Sequence, residues 1–149
     1  MSSNTDKQGR YAILKSKLRI AIDKEFWFEA CMIEYAIMED RTSSILHHAK
    51  VCKNAYDAKK TLTNKLCSIE LQIGKNHPII SKKVDINTIV AIKEWKDKRN
   101  DLVHKSCLVY DEEKAREIAI LGYDIVKNIS NESAKVTRLA DKIYLEQNQ

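Results

Sequence analysis

Residues 111–143 read DEEKAREIAILGYDIVKNISNESAKVTRLADKI. Within this stretch Ile118, Gly122, Ile125, Ile129, Glu132, Val136, Leu139 and Ile143 recur at alternating spacings of four and three. Each such pair of steps is close to two helical turns, so these positions share one face. A seam sustained this long predicts a helix that packs at a shallow angle, as in helical bundles. Gly122 and Glu132 are the two positions that interrupt its apolar character, and Ser130-Asn131 is where a kink is expected. Asp111, Glu112 and Glu113 open the segment, where the helix dipole favours acidic side chains.

The same periodicity fills most of the chain. A first helix is expected from near Arg10, carrying Tyr11, Leu14, Leu18 and Ile22 inward, with residues 1–9 frayed. A second runs from Lys24 to Val51. It bears two stripes, Phe26-Ala30-Ile33-Ile37 and Trp27-Cys31-Tyr35-Met38, so it is expected to be surrounded on most sides. A third spans about 57–73, with Asp57 as N-cap and Gly74 as its stop. His77 and Pro78 form a connection. Asp85 or Asn87 caps a fourth helix that passes through Trp95 to about His104.

Three Gly and one Pro among 149 residues are too few for the frequent turns of a sandwich or barrel. With 44% hydrophobic and 32% charged residues, the composition is that of a globular chain. The expected fold is therefore all-α, in one domain spanning 1–149. No apolar run is long enough for a membrane span or a signal peptide. Cys31 and Cys67 lie in apolar stretches, the setting of buried free thiols, and no cysteine pair has CxxC spacing. A reducing cytoplasm is the expected compartment, without disulfides.

The net charge of +5 is unevenly spread. Six basic residues crowd the first 24 positions, and Lys50, Lys53, Lys59, Lys60 and Lys65 face only Asp57 in residues 50–65. This pattern suits either a polyanion partner or a solvated lysine face.

Chemistry concentrates in the fourth helix. Ile89, Ile92, Trp95, Arg99 and Leu102 form one stripe, which puts a guanidinium on an apolar face. Such a charge needs compensation from a carboxylate, a partner chain or a bound phosphate. Glu39 or Asp40, on the most apolar helix, could supply the carboxylate. Asn100 and His104 are four apart and share a face, so the amide can orient the imidazole or hold its phosphate. Arg99 and His104 are separated by about 140° of rotation and about 7.5 Å of rise. A site using both needs a distorted helix end or the same segment from a second chain.

The segment Arg99-Asn100-Asp101-Leu102-Val103-His104 resembles the R-N-x-x-x-H form of the motif of HEPN-domain ribonucleases. The resemblance is close over these six residues and loose over the rest of the chain. It implies an antiparallel bundle of four or five helices, paired as a homodimer, that cleaves single-stranded RNA without metal or cofactor. It further implies Arg99, Asn100 and His104 as catalytic residues. A bacterial toxin or phage-defence setting follows from the same resemblance, as does an antitoxin or regulatory partner. Some toxin-type members carry a Tyr two residues after the His, where this chain has Ser106.

Other constellations are less specific. Arg41 precedes His47 by six residues, but Thr42 stands where the motif form has Asn. His48 and Cys52 share a helical spacing with no second ligand pair to make a zinc site. His47-His48 is expected to face solvent, and His77 to do nothing in its loop. Trp27 and Trp95 read as core. The rival reading of the whole chain is a non-catalytic helical module that binds RNA or protein.

Overall fold

The structure, a computed structural model, describes residues 4–56 and 60–148, with side chains from Gly9 onward. Among the described residues there are six helices and no strand: α1 (Asn4–Asp23), α2 (Trp27–His48), α3 (Leu62–Gly74), α4 (Ile80–Lys83), α5 (Ile86–Lys105) and α6 (Glu112–Gln147). The all-α expectation holds. No helix is long and apolar enough to cross a membrane. The first helix begins at Asn4, ahead of the expected Arg10, and α6 runs unbroken through Ser130 and Asn131. The expected Asp57 cap lies outside the described residues. The cap that α3 uses is Thr61, whose hydroxyl accepts the Asn64 N–H at 3.2 Å.

The helices gather into two compact units, Met1–Ile37 with Glu94–Val126, and Met38–Lys93 with Lys127–Gln149. The core of the first unit includes Leu18 from α1, Ala30 and Cys31 from α2, Trp95 and Leu102 from α5, and Ile118 and Ile125 from α6. Trp95 is fully buried, as its place on the stripe predicts, and its indole N–H donates to the Ile118 carbonyl at 2.9 Å. Phe26, by contrast, is exposed. Asp111 caps α6 by accepting the Lys114 N–H at 3.1 Å.

The core of the second unit draws on Ile45, Leu66, Ile69, Ile89, Ile92 and Val136. Asp85, rather than Asn87, caps α5, accepting the Asn87 N–H at 2.9 Å. The carboxylate of Glu132 on α6 accepts the N–H of Asp85 itself. The polar break in the α6 seam thus serves the start of another helix, satisfying the backbone N–H of its cap residue. Thr42, Ser43 and Ser44 are buried on α2; the hydroxyls of Thr42 and Ser43 bond back to carbonyls one turn earlier. His77 is not idle: its Nδ1 accepts the N–H groups of Ile79 and Ile80, each at 3.2 Å, and burial lowers its pKa. Cys67 is exposed, on the outer side of α3, against the expectation of burial.

Three helix ends share one construction. Glu25, Lys50 and Asn76 have φ of 60°, 58° and 56°. In each case the following N–H reaches back five residues to a carbonyl: Phe26 to Ala21, Val51 to Leu46, His77 to Gln72. This is the Schellman arrangement, in which glycine is the usual left-handed residue. Gly74, the expected stop, sits instead at the last position of α3 with no left-handed φ, and Asn76 performs the turn.

Candidate functional site

The site in the first unit is built on α2, α5 and α6. Gly122 explains the break in the α6 seam: a Cβ there would stand 2.3 Å from Glu34 Oε1 and 2.6 Å from Trp95 Nε1. Glycine is required because the Glu34 carboxyl and the Trp95 indole occupy the space a side chain would fill. Glu34 is fully buried, and neither carboxyl oxygen has a hydrogen-bond partner. Burial pushes its pKa up to about 9, so the group is a neutral acid at pH 7. Cys31, one turn earlier, donates weakly to the Ala115 carbonyl, and burial raises its thiol to about 12.

Arg99 follows Trp95 by one turn. Its Cζ lies 4.3 Å from the centroid of the Tyr35 ring. Nη1 donates to Asn100 Oδ1 at 3.1 Å, and Nη2 contacts Met32 Sδ at 3.0 Å. Nε is buried without a partner. Among the described residues no carboxylate stands in ion-pair range of this guanidinium. Glu39 and Asp40, the expected carboxylates, have other partners: Glu39 faces Lys65 at 3.9 Å, and Asp40 pairs with Arg41.

Asn100 therefore accepts from Arg99, where the spacing had offered it the imidazole or its phosphate. His104 is exposed near the end of α5. Beyond it a loop leaves Leu108 and Val109 exposed at 88% and 73%, while Tyr110 meets Phe28 edge to face at 6.2 Å. Lys105 and Lys114 flank Asp101 at 3.1 and 3.9 Å.

The motif spacing singled out Arg99, Asn100 and His104, but not the groups that surround Arg99. Met32, Glu34 and Tyr35 all come from α2, remote in sequence from the motif. One signal was present: a glycine on an apolar seam implies a large neighbour across it. Chemically, the arrangement offers a guanidinium with donors to spare, held on an aromatic face, and an accessible imidazole on the same helix. No protein-family model, curated protein or solved structure matches the chain.

Proposed function

We propose that this chain is a metal-independent endoribonuclease of HEPN type, acting on single-stranded RNA as a homodimer. The observation that carries the reading is the state of Arg99. A guanidinium kept for structure alone would be expected to meet a carboxylate, and this one rests on Tyr35 with Asn100 and Met32 as the contacts of its Nη groups and, among the described residues, no carboxylate in ion-pair range. Its unspent hydrogen-bonding capacity suits the oxygens of a phosphodiester. The all-α fold and the R-N-x-x-x-H segment agree with an antiparallel bundle of that family.

RNA carries its own nucleophile. The 2′-hydroxyl attacks phosphorus, the bond to the 5′-oxygen breaks, and a 2′,3′-cyclic phosphate remains. An imidazole takes the hydroxyl proton, a second imidazole protonates the leaving oxygen, and guanidinium groups offset charge on the phosphoryl oxygens. One chain supplies one motif imidazole, turned away from Arg99 by the helix geometry. Two-fold pairing supplies the second. The exposed Leu108 and Val109, close after His104, are apolar surface of the kind that a second copy covers. A toxin or defence role, with an antitoxin or regulatory partner, goes with the family resemblance.

The test is RNA cleavage by the purified chain in EDTA, with end analysis. Cyclic phosphate ends that vanish in His104→Ala are the expected result. Binding of RNA or protein with no cleavage under any metal condition would establish the alternative, a non-catalytic helical module.

A further inference from the structure

The lysine-rich run at residues 50–65 plays no part in the Arg99 site. In the second unit its residues Lys50, Cys52 and Lys53 meet the end of α2 and the last turns of α6 around a cleft of about 560 Å³. His47, His48, Lys50, Lys53, Asp141 and Tyr144 contribute to its walls. That volume falls in the range of ligand sites.

The balance of charge and partners gives the cleft its chemistry. Lys50 Nζ stands 3.6 Å from the centroid of the Tyr144 ring. A ring face holds an ammonium without neutralising it. Lys53 is exposed, and among the described residues neither lysine is in an ion pair. A third ammonium, Lys60 Nζ, contacts the sulfur of Cys52 on the wall. Asp141 is the one acid among the lining residues. Aromatic rings adjoin these cations: Tyr144, with Lys50 over one face, and His47 against Tyr56 at 5.5 Å. Ammoniums for a backbone beside rings for bases are what a single strand requires, whereas a duplex hides its base faces. A second cleft in this unit, beside Lys82, Lys83 and Lys135, lacks this balance because Asp85 and Glu132 lie within it.

We propose that the cleft between the end of α2 and the end of α6 holds a segment of single-stranded RNA, with Lys50 and Lys53 on its phosphates. The proposal rests on the ribonuclease reading for its choice of ligand and assigns substrate holding to residues outside the Arg99-Asn100-His104 motif.

The test is fluorescence anisotropy with a labelled single-stranded oligoribonucleotide of about a dozen residues, across a salt series, using the whole 149-residue chain with His104→Ala so that the probe survives. Lys50→Gly with Lys53→Ser removes two charges, and glycine suits the left-handed φ of residue 50, so the fold is preserved. The expected result is weaker binding and a salt slope smaller by roughly 1.4, from about 0.7 per phosphate contact on a single strand. Lys135→Glu, a charge change in the other cleft, is expected to leave the slope alone. Absence of binding by the intact chain, an unchanged slope in the double variant, or an equal effect of Lys135→Glu overturns the proposal. So does displacement of the strand by adenosine monophosphate at equal phosphate concentration, which would mark the cleft as a mononucleotide site. With His104 intact, the double variant is expected to raise KM with kcat unchanged. Binding that depends on these lysines without any cleavage would remove the ribonuclease reading alone. Cleavage with unaltered KM in the double variant would remove this proposal alone.

Discussion

Tyr35 supports Arg99 from below: the guanidinium carbon lies 4.3 Å from the ring centroid, with Asn100 at its edge. A ring orients a cation while leaving its charge available, which a carboxylate would not do. Tyr35→Leu is therefore expected to reduce RNA cleavage roughly tenfold through loss of this platform. Tyr35→Phe keeps the ring and should keep most of the rate. Arg99→Lys should fail to restore activity, because a point ammonium cannot reproduce the planar fork. Initial rates on one oligoribonucleotide decide all three; equal rates for Tyr35→Leu and the parent chain would refute the platform role.

His104 is exposed, and among the described residues it makes no hydrogen bond or ion pair, so its removal costs the fold little. His104→Ala should leave the melting temperature nearly unchanged and lower cleavage by roughly 10²–10⁴. Parallel thermal melts and rate measurements check this. Undiminished cleavage would place the proton-transfer group elsewhere, with His47 the next residue to substitute.

Glu34 keeps its proton to about pH 9 in the folded chain, against an ordinary value of 4.5. Between these two values the folded state holds a proton that the unfolded chain releases. Stability therefore falls as pH rises, by about 1.4 kcal/mol per unit from this group. Glu34→Gln removes that dependence, so the variant should gain on the parent chain steadily from pH 5 to pH 8. Urea unfolding at four pH values measures the difference; parallel curves for the two proteins would rule the buried acid out as the cause.

Gly122→Ala places a methyl group against Glu34 Oε1 and Trp95 Nε1. Helix propensity alone would favour alanine by about 1 kcal/mol. Overpacking of a dense core costs about 1–3 kcal/mol, so net destabilisation is expected. Adding Glu34→Ala opens part of the space, and the two substitutions should be strongly non-additive. A denaturant midpoint that rises in Gly122→Ala would show that the cradle gives way.

Glu25→Gly should stabilise the chain by about 1 kcal/mol, since its φ of 60° is costly for a residue with a Cβ. Glu25 is exposed, so the substitution disturbs little else. A lower melting temperature would argue against the left-handed turn.

Much of the fold was legible because spacing of three and four is a local property. Ile89, Ile92, Trp95 and Leu102 are buried as their stripe requires, and Asp85, one of the two expected caps, caps α5. The helix ends were less legible. Glycine is the expected residue for a left-handed turn, and Glu25, Lys50 and Asn76 do that work here. Burial of polar groups was also hidden, because it depends on what lies across the core. Thr42 and Ser43 satisfy themselves within their own turn, His77 serves two N–H groups beyond Pro78, and Glu132 reaches Asp85 from another helix. The motif singled out Arg99 and His104, yet the residues around Arg99 come from α2, and no local pattern links the two segments. The partner expected of Asn100 changed for a geometric reason: its carbonyl meets the neighbouring guanidinium at 3.1 Å.

The space that Gly122 leaves open has an optical consequence. Trp95 and Glu34 both press into it, so a fully buried indole adjoins a carboxyl group that changes charge only in alkaline solution. The emission of Trp95 is thus an internal reporter of that one proton, readable without a label. Trp27 is buried in the same unit and contributes a background, which Glu34→Gln would subtract.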